Sequence, residues 1–290
     1  MAEEIQKLVQ QYREGKINRR EFIRQAVVLT GSLAAANALI DSFFSPSAEA
    51  AQVAPDDPAL SSRDVQYPGK QGQISGYLAK PSAAGKYAAV IVIHENRGLD
   101  DHIRDVARRF AKEGFVALAP DYLSRHGGTA KVNPSGGGIS AIREMVPLSA
   151  VAEDTEASMA YLRGLPEVRG DRIGLVGFCW GGEMTFGVAT QVRGLRAAVV
   201  YYGRSPNPVD LVKNIEAPVL AHYGEKDEGV NKTIAPAEEA MKKYNKRYTY
   251  KIYPGAQHAF NNDTNPGRYH PEAAKEAWAR TIEFFKKELG

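Results

Sequence analysis

The residues best suited to covalent chemistry lie in the stretch VGFCWGG, which has Cys179 at its centre. This is the Gly-x-nucleophile-x-Gly pattern of a sharp strand-to-helix turn, with cysteine where serine is usual. A thiol at a helix N-terminus faces unpaired N–H groups and the positive end of the helix dipole, which favour the thiolate. Cys179 is the only cysteine. An isolated cysteine is more often a small buried apolar side chain, but its place in this turn favours a nucleophile.

A cysteine nucleophile needs a general base and a residue that orients the base. The chain supplies both after Cys179, in the order nucleophile, acid, base. Asp227 follows a predicted strand in the stretch YGEKD, and His258 follows another in PGAQHAF. Glu225 is the nearest rival for the acid; Asp227 could instead cap a loop, and His258 could be an ordinary surface histidine. Attack on an ester or lactone carbonyl is the chemistry that this set predicts.

The strands and helices that must position these side chains alternate along the chain from about residue 65. This alternation predicts an α/β fold, a mostly parallel sheet flanked by helices. The carboxyl ends of parallel strands meet at one edge, where we expect Cys179, Asp227 and His258 to gather. The predicted strands are 76–79, 88–94, 115–119, 172–177, 197–202, 218–223 and 248–253; the predicted helices are 101–113, 148–162, one that begins at the cysteine turn, and 271–289; the Gly-rich residues 134–138 are interpreted as a surface loop.

The first fifty residues allow two interpretations. Arg19–Arg20, the apolar run 26–39 and the small-residue stretch that ends at Ala50 are the parts of a twin-arginine export signal, which predicts a periplasmic or exported protein. The run is about 14 residues, shorter than the roughly 20 that span a bilayer, so no stable membrane anchor is expected. The alternative is a retained arm of two amphipathic helices over residues 3–42. Such an arm would pack on the main domain or on a second subunit, in a cytoplasmic protein and possible homodimer.

Composition limits the other classes. The chain has 290 residues, 43% of them hydrophobic, which suits a signal or arm over 1–50, a linker over 51–64 and one large domain over 65–290. Lys and Arg total 37 against 34 Asp and Glu, so there is no basic excess for nucleic acid. One cysteine excludes an intramolecular disulfide or a Cys-rich metal site. The remaining histidines lack zinc-ligand spacing and are expected to be structural: His94, His102, His126, His222 and His270.

Several ordered motifs resemble the dienelactone hydrolase family of α/β-hydrolases over residues 65–290. They are HENRG (94–98), APDY (119–122), GFCWGG (177–182), YYG (201–203) and the surroundings of Asp227 and His258. The resemblance implies the α/β-hydrolase fold and hydrolysis of an ester or lactone without a metal or organic cofactor. It also implies that Cys179 is the nucleophile, His258 the base and Asp227 the residue that orients the base.

The same resemblance implies further roles near the nucleophile. Glu95 is placed where the family has a Glu that controls ionisation of the thiol, although it could also be a solvated loop carboxylate. The oxyanion hole would come from the backbone N–H groups of Trp180 and Asn96. Tyr201, in the YYG motif, is a candidate for substrate binding.

One position departs from the family pattern. In well-known members two arginines bind the carboxylate of the dienelactone. Arg125 can fill the first place, but the second, four residues after His258, holds Asn262. Because one charged hydrogen bond is lost, we expect neutral short-chain esters or lactones to compete well with dienelactone. Arg97 and Arg204 are the candidates that could compensate.

The sequence therefore predicts a carboxylic ester or lactone hydrolase that acts on a small molecule through a thioacyl intermediate. The alternative from a different class is a non-catalytic hydrolase-fold protein that binds a ligand in the same cleft. An intact set of nucleophile, base and acid argues against that alternative. A redox role for the thiol is disfavoured, because the chain has no second cysteine to resolve a sulfenic acid.

Overall fold

An eight-stranded sheet runs through the chain after residue 52. The computed structural model describes residues 2–13, 17, 19–32, 36 and 52–290. The strands are β1 (Leu60–Gly69), β2 (Gly72–Pro81), β3 (Tyr87–Ile93), β4 (Val116–Pro120), β5 (Val168–Phe178), β6 (Ala197–Tyr201), β7 (Val219–Gly224) and β8 (Tyr248–Tyr253).

The strand order is β1-β2-β4-β3-β5-β6-β7-β8. The pairs β1/β2 and β2/β4 are antiparallel, and every other neighbouring pair is parallel. Because β3 to β8 run in the same direction, their carboxyl ends share one edge of the sheet. Cys179 follows the end of β5 at this edge, Asp227 follows β7, and His258 follows β8.

Helices cover both faces of the sheet. In β3, Val90 and Val92 face the core cluster that includes Phe110 and Phe285, whereas the alternate residues face the cluster on the other side. Burial of both faces explains why β3 is an uninterrupted apolar run. The helices are α1 (Ala2–Arg13), α2 (Arg19–Thr30), α3 (Asp101–Lys112), α4 (Thr129–Val132), α5 (Ile142–Met145), α6 (Leu148–Arg163), α7 (Trp180–Val188), α8 (Glu228–Asn231), α9 (Ile234–Lys243) and α10 (Pro271–Leu289).

The helices α1 and α2 precede the main domain. They contact each other around a small apolar cluster that includes Leu8, Val9 and Phe22. None of the helices in the described parts of the chain is long and apolar enough to cross a membrane. The predicted cleavage stretch that ends at Ala50, and part of the apolar run 26–39, lie outside the described residues.

The structure confirms the predicted α/β architecture, and differs from the prediction at its first edge. Residues 60–64 were assigned to a linker but belong to β1, which pairs with β2 across a two-residue turn. The backbone N–H groups of Gln52 and Val53 donate to the buried carboxylate of Asp105, at 3.2 and 2.9 Å. These contacts join residues that are distant in sequence, so a local composition rich in Ala, Pro, Ser and Asp gave the wrong prediction.

Candidate active site

Cys179 lies on a strained turn between β5 and α7. Its φ of 58° and ψ of −116° are unusual for a residue that carries a Cβ. A Cβ at Gly177 would lie 2.0 Å from the carbonyl oxygen of Gly181, and a Cβ at Gly181 would lie 2.4 Å from that of His94. Glycine at both positions lets α7 approach β5 and the end of β3 this closely. The turn leaves the thiol half-buried at the carboxyl edge of the sheet.

Three side chains form a continuous chain of contacts at this edge. His258 Nε2 lies 3.0 Å from Cys179 Sγ, and His258 Nδ1 lies 2.5 Å from Asp227 Oδ2. A carboxylate at Nδ1 fixes the orientation of the imidazole and leaves Nε2 to exchange a proton with sulfur. The structure thus brings together the three residues that the sequence order selected.

The imidazole of His258 strongly favours its charged form. Burial alone would lower the pKa of His258, but the hydrogen bonds with Asp227 and Cys179 outweigh burial and raise it to about 10. The imidazolium is therefore stabilised from both ring nitrogens, by a carboxylate on one side and by sulfur on the other.

This pKa predicts a pH dependence of stability. The folded value, about 10, lies above the ordinary value of 6.5, so the imidazolium adds stability that is complete below about pH 6.5 and is lost as the pH rises through about 10. The difference in free energy of unfolding between the native protein and His258→Gln should be largest near pH 6 and shrink towards about pH 10. Urea denaturation at a series of pH values measures this difference. A difference that stays constant across that range would contradict the account.

The rival acid, Glu225, contacts a different group. Its Oε2 accepts a hydrogen bond from the backbone N–H of Gly255 at 2.8 Å. This bond joins the loop after β7 to the turn that precedes His258. Glu225 therefore supports the backbone near the imidazole, and Asp227 is the acid that contacts the imidazole itself.

Glu95 is a buried carboxylate at the carboxyl edge of the sheet. It is 5% exposed, which excludes the alternative of a solvated loop residue. Its Oε1 accepts from the hydroxyl of Tyr202 at 3.3 Å, and its Oε2 accepts from Nδ2 of Asn262 at 2.7 Å. Burial raises the pKa of Tyr202 well above its usual value, and the charges of Glu95 and Cys179 add to the effect. Two neutral donors thus satisfy this carboxylate.

A buried ionic network holds the loop that carries Asn262. The next residue, Asp263, contacts Arg109 at 2.6 Å and the ring of His102 at 3.2 Å. Burial alone would raise the pKa of Asp263, but His102 and Arg109 outweigh it and hold the pKa at about 2. The loop between His258 and α10 is therefore fixed to α3, the helix that follows the Glu95 loop.

The two predicted oxyanion donors lie on elements at the carboxyl edge of the sheet. Trp180 is the first residue of α7, and Asn96 lies in the loop after β3. No hydrogen bond within residues 52–290 uses the backbone N–H of either residue. The carbonyl oxygen of Asn96 accepts from the N–H of Ile139 at 2.8 Å, which fixes one side of this loop. Within residues 52–290, both N–H groups are thus without a competing acceptor.

Two predicted substrate-binding residues are engaged elsewhere. The hydroxyl of Tyr201 bonds to Thr281 at 2.7 Å, and its side chain is fully buried in the core, so the prediction for Tyr201 is corrected. The ring beside His258 is that of the next residue, Tyr202. The guanidinium of Arg125 contacts Asp154 at 2.7 Å and Glu153 at 3.0 Å. A substrate carboxylate at Arg125 would compete with both.

The other predicted arginines lie at the same edge of the sheet. Arg97 is half-buried in the loop after β3, and Arg204 is exposed in the loop after β6. Sequence reasoning missed Arg143 of α5, whose Nη2 contacts Glu183 Oε2 at 2.7 Å. Glu183 is part of the first turn of α7. Its position four residues after Cys179 was the sequence signal that could have found the pair.

The five other histidines have structural surroundings. His94 and His222 are fully buried, and burial lowers the pKa of each ring. His126 contacts the carbonyl oxygen of Met145 at 2.9 Å, and His270 caps α10. In the ranges that the structure describes, no three His, Cys, Asp or Glu side chains are arranged to hold a metal ion.

The sheet order, the strained turn and the three side chains define an α/β-hydrolase. Residues 74–289 match the sequence model of the dienelactone hydrolase family. The chain belongs to the dienelactone hydrolase family, and with it to the carboxylic ester hydrolases. This confirms the predicted family.

Known proteins resemble the chain over most of its length. A Methylorubrum extorquens protein named "Putative carboxymethylenebutenolidase" is 34% identical over 274 residues, which are 91% of this chain and 92% of that protein. The crystal structure of a Klebsiella pneumoniae protein named "Putative Dienelactone Hydrolase" is 32% identical, with a TM-score of 0.72 over 79% of this chain and 99% of that one. A dienelactone hydrolase-like promiscuous phosphotriesterase from metagenomic libraries is 25% identical, with a TM-score of 0.72 over 80% and 100% of the two chains.

Proposed function

We propose that the chain hydrolyses small carboxylic esters or lactones through a thioester on Cys179. The observation that carries this proposal is the chain of contacts from Asp227 through His258 to the thiol, with 2.5 and 3.0 Å between the atoms. A nucleophile, a base and an orienting acid within hydrogen-bond reach are the geometry that covalent acyl transfer needs.

In the first half-reaction, His258 Nε2 already holds the proton of the Cys179 thiol, and the thiolate Sγ attacks the carbonyl carbon. The carbonyl oxygen becomes an oxyanion that the N–H groups of Trp180 and Asn96 stabilise, each by about 3 kcal/mol. When the tetrahedral intermediate collapses, the C–O bond breaks and the imidazolium gives its proton to the leaving alkoxide. A thioester and an alcohol result, or a tethered alcohol where the substrate is a lactone.

In the second half-reaction, water replaces the alcohol. His258 takes a proton from the water, and the hydroxide attacks the thioester carbon in the same oxyanion site. Collapse breaks the C–S bond, and sulfur leaves as the thiolate beside the imidazolium of His258. The products are the acid and the free enzyme, so no metal or organic cofactor takes part.

Glu95 is proposed to control the ionisation of the thiol. Its negative charge is held in the core by Tyr202 and Asn262, which are neutral. A negative charge held by neutral donors opposes a second negative charge on nearby sulfur. The thiolate is therefore favoured only while His258 is charged, and this couples formation of the nucleophile to the base.

The substrate is proposed to be neutral around the scissile bond. Asn262 is committed to Glu95, and Arg125 is committed to Asp154 and Glu153. Neither place of the two-arginine carboxylate clamp is therefore free to bind a substrate carboxylate. This supports neutral short-chain esters and lactones over dienelactone.

A panel of p-nitrophenyl esters and small lactones tests the proposed function on the full chain. We expect turnover of short neutral members, and we expect prior treatment with iodoacetamide to abolish it, because Cys179 is the only thiol that the reagent can alkylate. If no member of the panel is hydrolysed, or if alkylated protein keeps its activity, the proposal is wrong.

We also propose that the first fifty residues direct export of the folded protein. The support is the sequence pattern of Arg19–Arg20, the apolar run and the small residues that end at Ala50. Residues 1–55 fused to a reporter that must be exported folded should place it outside the cytoplasm, and Arg19→Lys with Arg20→Lys should stop this export. If the reporter stays inside while deletion of residues 1–45 changes the oligomer mass, the segment is a retained helical arm.

A further inference from the structure

An ion pair that the mechanism does not use lies one helical turn from Cys179. Glu183 is four residues after Cys179, and its backbone N–H donates to the carbonyl oxygen of Cys179 at 3.1 Å. Glu183 therefore lies in the first turn of α7, one turn along from the residue that carries the thiol. Its Oε2 accepts from Nη2 and Nε of Arg143, at 2.7 and 3.2 Å.

Arg143 reaches Glu183 because its segment crosses from the loop after β3 to α7. We call residues 133–145 the crossing segment. The side chain of Asn133 donates to the carbonyl oxygen of Arg97 at 2.9 Å. The backbone N–H of Ile139 donates to the carbonyl oxygen of Asn96 at 2.8 Å. The crossing segment thus joins the loop that supplies one oxyanion donor to the helix that supplies the other.

The pair is open to a substrate. The side chain of Arg143 is 51% exposed, and that of Glu183 is 24% exposed. The hydrogen bond with Glu183 raises the pKa of Arg143, and the charge of Cys179 adds to this effect, so the guanidinium lies within electrostatic reach of sulfur. Any group that extends from a carbonyl bound at Sγ along α7 meets the pair.

We propose that Arg143 and Glu183 are a specificity-determining pair that selects uncharged substrates. While paired they present no net charge beside the scissile bond, so a substrate anion gains no attraction there and loses its hydration. This inference rests on the proposed ester hydrolysis. It also explains the placement of the pair: Glu183 is in α7, which carries Trp180, and Arg143 is in the crossing segment, which contacts the loop that carries Asn96.

Removing one charge of the pair should change kcat/KM for an anionic ester relative to a neutral one, and the two single substitutions should change this ratio in opposite directions. Arg143→Gln leaves the carboxylate of Glu183 unneutralised, and should lower kcat/KM for an anionic ester relative to a neutral one by about 3- to 10-fold. Glu183→Gln leaves the guanidinium unneutralised, and should raise the same ratio by about 3- to 10-fold. The probes are 4-acetoxybenzoate, which is anionic, and its neutral methyl ester. Both shifts should shrink in about 1 M salt, where the Debye length is about 3 Å.

The matched control is a second Arg–Glu pair on the rim of the opposite edge of the sheet. Arg193 contacts Glu216 at 2.5 Å, and both residues precede the amino ends of strands, as Arg193 comes before β6 and Glu216 before β7. Arg193→Gln and Glu216→Gln make the same changes in net charge, and should leave the ratio for the two probes unchanged.

Three outcomes would overturn the proposal. The first is a ratio of kcat/KM for the two probes that is unchanged in both Arg143→Gln and Glu183→Gln. The second is an equal loss of kcat/KM for both probes, which would mean that the pair only tethers the crossing segment. The third is a shift of the same size in Arg193→Gln and Glu216→Gln. The neutral probe separates this inference from the proposed function. If Cys179→Ala still hydrolyses the methyl ester, or if the native protein does not hydrolyse it, the proposed function fails; if hydrolysis behaves as proposed and the ratio does not move, only the specificity pair fails.

Discussion

Cys179→Ala should reduce kcat/KM for short esters by at least about 1,000-fold, because loss of the attacking atom leaves only binding and the oxyanion donors. The substitution removes one half-buried sulfur atom and leaves the glycines that shape the turn, so the fold should persist. Kinetics with p-nitrophenyl butyrate, together with a thermal melt of each protein, measures both expectations. Activity within a few-fold of native would remove Cys179 from the mechanism.

Cys179→Ser separates thiol chemistry from mere placement of a nucleophile. The hydroxyl is much harder to ionise than a thiol, and the buried charge of Glu95 opposes an alkoxide as it opposes a thiolate. We therefore expect at most about 1% of native kcat. A serine variant as active as the native protein would mean that the site works as an ordinary serine hydrolase, with no special part for sulfur.

Asp227→Asn should lower kcat by about 1,000- to 10,000-fold and change KM little. The carboxylate bonded to His258 Nδ1 at 2.5 Å fixes the tautomer that leaves Nε2 free to accept the proton. An amide can present its NH2 group to Nδ1, which selects the wrong tautomer and gives no charge stabilisation to the imidazolium. Steady-state kinetics over a range of pH should also show the pKa of His258 displaced downwards.

Glu225→Gln is the matched control for this variant. Glu225 is two residues before Asp227 and bonds to the backbone N–H of Gly255 at 2.8 Å, a bond that the amide oxygen of Gln can keep. We expect kcat to stay within a few-fold of native. If Glu225→Gln is the variant that loses activity, the assignment of the acid must be reversed.

The three reacting residues could be predicted because their signals are local. Each follows an apolar run that forms a strand, and parallel strands bring their carboxyl ends to one edge whatever the details of packing. Cys179 is further marked by the glycines that its turn requires. The chain order nucleophile, acid, base then left Glu225 as the only near rival of Asp227. The structure distinguishes the two, because only Asp227 is hydrogen-bonded to His258.

The surroundings of the site could not be predicted because they depend on contacts between distant parts of the chain. The YYG motif does not reveal which tyrosine faces the site; β6 ends at Tyr201, which turns its side chain into the core and brings Tyr202 beside His258. The missing arginine at position 262 was visible in the sequence, but its bond to Glu95, 167 residues away, was not. The commitment of Arg125 to Asp154 was likewise hidden.

The same reason explains the error in the fold at β1. Six of the seven predicted strands are mainly buried apolar runs, and the seventh, β8, is an edge strand rich in tyrosine, whereas β1 is an edge strand with a largely polar and exposed sequence. Its residues form a strand because β2 offers a partner, and only the three-dimensional pairing shows this. Helix α9 was also missed, although its buried residues Ile234, Ala237, Ala240 and Met241 have the spacing of one helical face, so here the signal was present in the sequence.

The central claim is that the acyl group is transferred to the sulfur of Cys179. Mass spectrometry of the full chain, quenched with acid within milliseconds of mixing with p-nitrophenyl butyrate, tests this most directly. We predict one butyryl adduct per chain, carried by the peptide that contains Cys179, removed by hydroxylamine and absent from Cys179→Ala. An adduct on any other residue, or steady turnover by Cys179→Ala, would contradict the claim.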